Sequence, residues 1–163
     1  MTTQFRFGDI FNNSFIGSIP PSLEIIAEDE DLMPSYAHPG DAGMDLRASE
    51  EIFINSGEIV KVDTGLKISV PQGFVGLVVP RSSLGSKGIT VANSPGTIDS
   101  GYRGPLKVVL INHTSKMYYI EEGERIAQLL IIPVATARIT QVREFSDAET
   151  TRGEGGFGST GTN

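Results

Sequence analysis

The sequence predicts an all-β domain. Short runs rich in Val, Ile and Leu follow one another at close spacing, and clusters of turn-forming residues separate them. The 163 residues include 19 Gly and 9 Pro, a content that favours many turns over long helices. Only residues 82–87 have a pattern compatible with a helix, and for no more than a turn or two. Together these observations indicate a sandwich, a jelly roll or a small barrel.

The β-type runs can be placed in order along the chain. A first strand is predicted at residues 23–27, and it is followed by a short acidic loop at 28–31 whose charges we expect to be solvated. Residues 34–43 form a turn-rich stretch. Further strands are expected at residues 51–54, 59–62, 65–70, 74–79, 106–111, 117–120 and 125–134.

The two ends of the chain differ in composition from this middle part. Residues 1–22 read as an N-terminal extension, residues 23–149 as the β-rich domain and residues 150–163 as a Gly-rich C-terminal segment. The extension carries Phe5, Phe7, Phe11 and Phe15, which favour packing over a flexible arm. The Gly-rich end cannot bury a core, so it is expected either to be mobile alone or to act as a flap that orders over a ligand.

Composition excludes several classes of function. A net charge of −7 argues against general nucleic-acid binding, although a single nucleotide in a local basic pocket is compatible with it. There is no Cys, and His38 and His113 lack metal-ligand spacing. No run reaches the roughly 20 apolar residues that a membrane span needs, and no export signal is evident. We therefore expect a cytoplasmic protein with no membrane partner.

The most informative stretch is residues 93–104, which combines turn formers with Asn93, Asp99 and Tyr102. Turn signals at both ends predict a β-hairpin, whose tip would leave backbone polar groups for water or a ligand. One carboxylate and one phenol ring on this piece suit a pocket for a flat polar molecule with an acid-base group beside it. The alternative is a surface hairpin with a solvated Asp99.

Four further residues are candidates for chemistry. Arg81 and Ser82 follow a strand at the one helical turn, where free N–H groups favour phosphate; a plain N-cap at Ser82 is the alternative. Gln128 would share a core-facing strand face with Ile126, or be an edge or interface residue. Asp45 lies in an apolar stretch, so if buried it needs a cation or a metal-bound water; otherwise it caps a turn.

Five segments that stand in a fixed order contain these candidates. In that order they resemble the motifs of the trimeric deoxyuridine triphosphatase (dUTPase) family, and the match runs from about residue 23 to the end. Five ordered motifs are far more specific than any one of them. The segments are residues 42–48, 80–85, 96–104, 123–129 and 152–161.

The resemblance implies a jelly-roll protomer with one very short helix, assembled as a homotrimer. It implies an enzyme that hydrolyses dUTP to dUMP and pyrophosphate with Mg²⁺ as cofactor, which keeps uracil out of DNA and supplies dUMP for thymidylate synthesis. Each active site would draw its motifs from more than one chain, with the C-terminal flap coming from a third.

The resemblance also assigns roles to residues around the base and sugar. Asp99 resembles the general base that deprotonates the attacking water. Asn93 and the backbone near Ile98 and Tyr102 would recognise the edge of uracil, and Tyr102 would lie flat under the deoxyribose, where a 2′-hydroxyl would clash. Phe157 would cover the uracil ring.

The remaining assignments concern the phosphates and the metal. Asp45 looks like the acid that touches Mg²⁺ through water, while the ion is held mainly by the substrate phosphates. Asp147 is a candidate anchor for Arg152 in the open flap. The expected phosphate-binding residues are Arg81, Ser82, Ser83 and Gln128, with Arg152, Gly158, Ser159 and Thr160 from the flap.

The sequence departs from the family pattern at two positions, Gly101 and Pro105, neither of which touches the expected chemistry. Two other functions are alternatives to this one. One is a dCTP deaminase, which would need a Glu base where this chain has Asp99. The other is a dUTPase with an added regulatory role, in which the N-terminal extension binds an unknown protein partner.

Overall fold

The computed structural model describes residues 21–146, 150, 153 and 154, and every structural statement below concerns these residues. Most of the expected N-terminal extension and of the Gly-rich C-terminal segment lies outside them. Within them the regular secondary structure is almost entirely β-strand, which confirms the all-β prediction. The strands are β1 Glu24–Ala27, β2 Met44–Arg47, β3 Ile52–Ile54, β4 Ile59–Ser69, β5 Phe74–Pro80, β6 Ile89–Val91, β7 Gly96–Ile98, β8 Pro105–Asn112, β9 Tyr118–Ile120 and β10 Arg125–Pro133.

The strands of the described region form two four-stranded antiparallel sheets and one smaller sheet. The first large sheet has the order β1-β4-β8-β6 and the second has the order β2-β10-β5-β7, while β3 pairs with β9. Strands that are distant in sequence are neighbours in both large sheets, as β4 is with β8 and β2 is with β10. Such crossovers between two packed sheets are characteristic of a jelly roll.

Aliphatic side chains from both large sheets and the small one fill a common core. The largest fully buried members include Leu46, Ile54, Leu66, Leu106 and Leu129. One buried polar residue also ties elements together, since the amide nitrogen of Asn112 donates to the carbonyl oxygens of Ile54 and Lys116 at 2.9 and 2.7 Å. Asn112 therefore ties β8 of the first large sheet to β3 of the small sheet.

Several strand predictions needed correction. The runs expected at 59–62 and 65–70 form one strand, β4, because a bulge between Asp63 and Leu66 keeps it paired with β8 on both sides of the turn-like Gly65. Gly65 has a φ of +66°, and a Cβ there would lie 2.6 Å from Leu32.

Strands β2 and β6 were missed from the sequence, and β7 was expected only as part of the hairpin at residues 93–104. The equally short β3 and β9 were predicted because they are continuous apolar or aromatic runs, whereas β2, β6 and β7 each contain a polar residue or a glycine. The acidic loop is also more ordered than expected. It contains a 3₁₀ helix, Glu30–Leu32, capped by the Asp29 carboxylate, which accepts a hydrogen bond from the backbone N–H of Asp31 at 3.0 Å.

The expected β-hairpin at residues 93–104 is wrong in its pairing. β7 pairs with β5 in one large sheet, whereas β8 pairs with β4 and β6 in the other. The two arms of the segment belong to different sheets because each finds a longer partner strand elsewhere. Residues 99–104 are therefore a crossing loop, in which the N–H of Tyr102 donates to the carbonyl oxygen of Asp99 at 3.0 Å.

The position of the short helix was predicted correctly, but its N-cap residue was not. Helix α1 spans Ser82–Gly85 directly after β5, and its N-cap is Arg81, with no hydrogen bond from the cap side chain. Ser82 is thus the first helical residue and not the N-cap. Among the described residues, no helix is long and apolar enough to cross a membrane.

Candidate active site

Asp45 is a buried carboxylate held by cationic side chains. It lies on β2 with 7% of its surface exposed. Its Oδ1 accepts a hydrogen bond from Nε of Arg81 at 2.8 Å, and its Oδ2 accepts one from a terminal nitrogen of Arg125 at 3.1 Å. The sequence-based expectation that a buried Asp45 requires a cation is met by two arginines, and the turn-capping alternative is wrong. One negative and two positive charges leave a local excess of one positive charge, which favours an anion.

Arg81 links this carboxylate to the start of helix α1. Besides its bond to Asp45, it donates through a terminal nitrogen to the hydroxyl oxygen of Ser83 and to the carbonyl oxygen of Arg125, both at 3.2 Å. The side chains of Ser82 and Ser83 are exposed. Guanidinium and hydroxyl groups in this arrangement present several hydrogen-bond donors to solvent, as a phosphate site requires.

Gln128 completes the group, which we call the Asp45 cluster: Asp45, Arg81, Ser82, Ser83, Arg125 and Gln128. Gln128 is directly opposite Asp45 in the β10–β2 ladder, and its amide nitrogen donates to Oδ1 of Asp45 over 3.4 Å. The expected sharing of one strand face by Gln128 and Ile126 is disrupted by a bulge between Arg125 and Ala127. As a result the consecutive residues Ile126 and Ala127 are both buried.

No group of three or more His, Asp or Glu side chains among the described residues is arranged to hold a metal ion. Oδ2 of Asp45 accepts a single hydrogen bond from the described residues, so one of its lone pairs remains for the hydrogen of a metal-bound water. Asp45 therefore suits a contact through water with an ion that is held by phosphates. The described side chains do not form a set of direct protein ligands for a metal ion.

A second group of candidates lines a cavity on the other side of β5, which we call the Asp99 cavity. Its volume is about 330 Å³, and Asp99 itself is exposed. An exposed carboxylate beside a cavity is accessible both to water and to a ligand. The lining residues are Thr97, Ile98, Asp99, Tyr102, Pro105 and Lys107.

Asn93 lies at the opposite end of β7 from Asp99. A Cβ added at the buried Gly96 would lie 3.4 Å from Nδ2 of Asn93, so the amide group rests against bare backbone at the start of this strand. Roughly 10 Å of backbone along β7 separates Gly96, where the amide of Asn93 rests, from Asp99.

The Asp45 cluster and the Asp99 cavity are far apart in a single chain. Ile98, which precedes Asp99, pairs with Gly76 near the start of β5, whereas Arg81 follows the last residue of that strand. The five residue-to-residue steps from Gly76 to Arg81 correspond to roughly 17 Å along the strand. The structure therefore brings together Asp45, Arg81 and Gln128, and it separates them from Asp99.

Several predicted site residues cannot be placed, because Arg152, Phe157, Gly158, Ser159 and Thr160 lie outside the described residues, as does Asp147. Conversely, four residues of the two sites were given no role from the sequence: Arg125 in the Asp45 cluster, and Thr97, Pro105 and Lys107 in the Asp99 cavity. Arg125 lies within the motif segment 123–129, and its positive charge so close to Gln128 was a usable signal. Pro105 had been expected to lie away from the chemistry, and that expectation was wrong. Lys107 gave no signal, because its place in the cavity depends on the pairing of β8 with β4.

Comparisons with known proteins identify the family of this chain. The dUTPase family model matches residues 29–161. The chain belongs to the dUTPase family. Its similarity to the deoxyuridine 5′-triphosphate nucleotidohydrolase of Mycolicibacterium gilvum is 46% identity over 146 residues, which is 86% of this chain and 95% of the relative. The corresponding enzyme of Clostridium tetani is 45% identical over 140 residues, with 85% and 94% coverage.

Solved structures of family members also match this chain. The dUTPase of Staphylococcus bacteriophage 80alpha with dUpNHpp matches with a TM-score of 0.80 and 32% identity, covering 86% of this chain and 98% of that one. A variant dUTPase of phage phi11 of S. aureus, described as revealing the coordination of a structural Mg(II) ion, matches with a TM-score of 0.73 and 28% identity, with 78% and 100% coverage. The resemblance stated from the five motifs is thereby confirmed, and the chain is a member of a family of hydrolases with an all-β jelly-roll protomer.

Proposed function

We propose that the chain hydrolyses dUTP to dUMP and pyrophosphate by attack of an Asp99-activated water on the α-phosphate. The observation that carries this proposal is the exposed Asp99 carboxylate in one cavity with the ring of Tyr102. The names of the relatives at 45–46% identity support the choice of substrate. The reaction would remove dUTP, which keeps uracil out of DNA, and it would supply dUMP for thymidylate synthesis.

Asp99 is proposed as the general base. Its side chain is exposed at the end of β7, so a water molecule can reach it in the absence of substrate. When the nucleotide fills the cavity, that water lies between the carboxylate and the α-phosphorus and loses its proton to Asp99. A positioned base of this kind typically accelerates a reaction about 10²–10⁴-fold.

Asn93, Ile98 and Tyr102 are proposed to select the deoxyuridine part of the substrate. The amide of Asn93 and the backbone along β7 are complementary to uracil, which offers one N–H donor and carbonyl acceptors. Cytosine reverses part of that pattern and would leave buried groups unpaired. The ring of Tyr102 excludes a ribose 2′-hydroxyl by steric contact.

The Asp45 cluster is proposed to bind the phosphate chain. Arg81, Ser82, Ser83 and Gln128 donate hydrogen bonds to phosphate oxygens, and the excess positive charge around Asp45 attracts the anion. Mg²⁺, when bound to the phosphates, neutralises developing negative charge and contacts Asp45 through water. Charge stabilisation and positioning, rather than covalent chemistry, then supply most of the rate enhancement.

A complete site requires more than one copy of the chain. The separation of roughly 17 Å along β5 prevents one chain from applying Asp99 and Arg81 to the same triphosphate. We propose the homotrimer that is typical of the family, in which the Asp99 cavity of one copy faces the Asp45 cluster of another. Residues 150–163 of a third copy would close the site, with Phe157 over the uracil and Arg152, Gly158, Ser159 and Thr160 on the phosphates.

The proposal is tested by incubating the purified full-length protein with dUTP, dCTP, dTTP or UTP and Mg²⁺, and measuring both pyrophosphate and ammonia. We expect pyrophosphate from dUTP at a rate at least about a hundredfold above that from the other nucleotides. Ammonia from dCTP would instead indicate a deaminase. Absence of pyrophosphate from dUTP would contradict the proposed function.

A further inference from the structure

The crossing loop, residues 99–104, carries both Asp99 and Tyr102 of the Asp99 cavity. Strand β7 ends at Ile98 and strand β8 begins at Pro105, so strand pairing within the described chain does not hold the residues between them. The side chains of Asp99 and Tyr102 are exposed, so burial in the core does not hold them either. The positions of the proposed general base and of the proposed sugar-contacting ring therefore depend on hydrogen bonds within the loop.

Arg103 makes two of these hydrogen bonds, and the proposed function gives this residue no role. One terminal nitrogen of its guanidinium group donates to the carbonyl oxygen of Ser100 at 2.7 Å and to that of Tyr102 at 2.6 Å. The N–H of Tyr102 donates in turn to the carbonyl oxygen of Asp99 at 3.0 Å. Hydrogen bonds from a charged donor are shorter and stronger than neutral ones. Arg103 therefore joins the residue that follows Asp99 to Tyr102 and closes the turn between them.

The guanidinium group lies outside the Asp99 cavity. Together with Ser100 and Gly101 it lines a different depression, which also includes Glu24 at the start of β1. Arg103 is not among the residues that line the Asp99 cavity. The ion pairs of the described residues do not include it, so its described partners are the two carbonyl oxygens. Arg103 can therefore act on a nucleotide in the cavity of its own chain through the loop, and not by direct contact.

Fold stability does not account for these hydrogen bonds. The side chain of Arg103 is exposed, and a hydrogen bond at an exposed site replaces one with water, so its net contribution to the free energy of unfolding is small. Strands β7 and β8 are held by their own partners in the two large sheets. The property that the bonds of Arg103 control is the conformation of the loop in the folded protein.

We propose that Arg103 is a positioning residue whose two hydrogen bonds hold the crossing loop in the conformation that directs Asp99 and Tyr102 at the nucleotide. The inference rests on the proposed function. A general base is effective only when its carboxylate lies within hydrogen-bond reach of the water that it deprotonates, so a loop that samples other conformations turns over substrate less often. Because the loop is held before the substrate arrives, binding does not have to order it.

The test uses three variants of the full-length protein. Arg103→Met removes both hydrogen bonds and keeps an unbranched side chain, whereas Arg103→Lys restores a charged donor that can bond to both carbonyl oxygens. Lys61→Met is the control, because it removes a positive charge from an exposed side chain on β4 that lines neither depression. Amide hydrogen exchange is followed by mass spectrometry with and without a non-hydrolysable imido analogue of dUTP. Steady-state kinetics use dUTP and UTP with Mg²⁺.

For Arg103→Met we expect amide exchange in residues 99–104 of the ligand-free protein to be about five- to tenfold faster than in wild type, with the rest of the chain unchanged. The kcat for dUTP should fall about tenfold while KM rises less than about threefold, because the Asp45 cluster still binds the phosphates. The preference for dUTP over UTP should fall about threefold, since the ring of Tyr102 is held less firmly.

The other measurements distinguish this role from a general effect on the fold. The Tm of Arg103→Met should stay within about 2 °C of wild type. The imido analogue should remove the difference in exchange, because the bound nucleotide orders the loop in both proteins. Arg103→Lys should recover kcat to within about threefold of wild type, and Lys61→Met should match wild type in every measurement.

Three results would overturn the inference. One is an unchanged kcat in Arg103→Met while the wild type hydrolyses dUTP, which would leave the proposed function intact. The second is a lower kcat with wild-type exchange in the loop, which would indicate direct contact between Arg103 and the nucleotide. The third is faster exchange across the whole chain, which would indicate a loss of fold stability. A wild-type protein that releases no pyrophosphate from dUTP would remove the proposed function, and this inference with it.

Discussion

The hydroxyl group of Tyr102 donates a hydrogen bond of 2.9 Å to the carbonyl oxygen of Pro105. This bond folds the phenol ring back over Gly104. A Cβ at Gly104 would lie 2.5 Å from the Tyr102 hydroxyl oxygen and 2.7 Å from the ring carbon that bears it, which is too close for any side chain. The absence of a side chain at Gly104 therefore leaves room for the ring, which we propose lies beneath the deoxyribose.

Gly104→Ala should displace this ring and weaken the selection of deoxyribose over ribose. We expect the ratio of kcat/KM for dUTP to that for UTP to fall about tenfold or more, because the steric exclusion of the 2′-hydroxyl depends on the ring position. Gly101→Ala in the same loop is the matched control, since a Cβ there meets no heavy atom within 4 Å. If Tyr102→Ala and Gly104→Ala both kept wild-type selectivity, the ring would not be the steric gate.

Asp99→Asn should reduce turnover of dUTP by about 10²–10⁴-fold or more, because the amide cannot accept the proton of the attacking water. Binding of the imido analogue of dUTP should stay close to that of wild type, since Asp99 is exposed and the substitution keeps its shape. Single-turnover kinetics and calorimetry measure the two properties separately. Unchanged turnover would remove Asp99 from its role.

Mixed assemblies of Asp99→Asn and Arg81→Ala chains test whether the two halves of a site come from different copies. Each variant alone should be nearly inactive. Chains unfolded and refolded together should regain about a quarter of the wild-type activity, because a random mixture pairs an intact Asp99 with an intact Arg81 in about one site in four. If both residues acted within one chain, the mixture would stay inactive.

Deletion of residues 150–163 should abolish most turnover of dUTP and leave the fold and the oligomeric state unchanged, because strands β1 to β10 all precede residue 150. Circular dichroism and sedimentation check the fold and the assembly, and pyrophosphate release measures turnover. A truncated protein with wild-type turnover would contradict the proposed flap.

Asp45→Asn should leave two guanidinium groups without their shared counter-ion. We expect a loss of about 1–3 kcal/mol in the free energy of unfolding, and KM for dUTP should rise about tenfold because Arg81 is no longer oriented. Asp41→Asn is the control, since Asp41 is an exposed carboxylate in the turn before β2. A raised Mg²⁺ requirement in Asp45→Asn would support the proposed outer-sphere contact, whereas wild-type stability and KM would contradict the role of the cluster.

The Asp63–Lys107 pair should make a small, pH-dependent contribution to stability. Burial raises the pKa of Asp63, but the hydrogen bond from Lys107, the backbone N–H groups of Gly65 and Thr64 and the charge of Lys107 lower it by more, so it lies below the usual 3.8. A lowered carboxyl pKa contributes stability that is present above pH ~3.8 and is lost as the pH falls through the folded-state value.

Asp63→Asn should accordingly lower Tm by about 1–3 °C at pH ~7, and this difference should shrink as the pH falls below ~3.5. Thermal unfolding of both proteins across this range measures the effect. A difference that grew towards acid pH would contradict the assigned direction of the shift.

The strands predicted from the sequence are those that contain a clear run of apolar residues. β5, β8 and β10 have seven to nine residues, and their apolar runs were visible before the structure was known. β7 has only three residues, and its partner is β5 rather than the other arm of the same turn-rich segment. Turn signals predict where the chain bends, but the choice of partner depends on distant strands.

The candidate site shows the same limit of prediction from sequence. The sequence indicated that Asp45, if buried, needs a cation, yet it could not name Arg81 and Arg125, which approach from elements 36 and 80 residues away. The position of Lys107 in the Asp99 cavity likewise depends on the β4–β8 register and not on its neighbours in sequence. Residue types and motifs thus predicted which chemistry is present, and the sheet topology determined which groups act together.

In the proposed trimer, the distance between Arg81 and Asp99 along β5 makes turnover a collective property. A monomer released by dilution would carry both surfaces but would have no place where a nucleotide could react. Specific activity should therefore decline once the protein concentration falls below the dissociation constant of the assembly. A compound that binds between subunits and separates them would inhibit the enzyme without resembling its substrate.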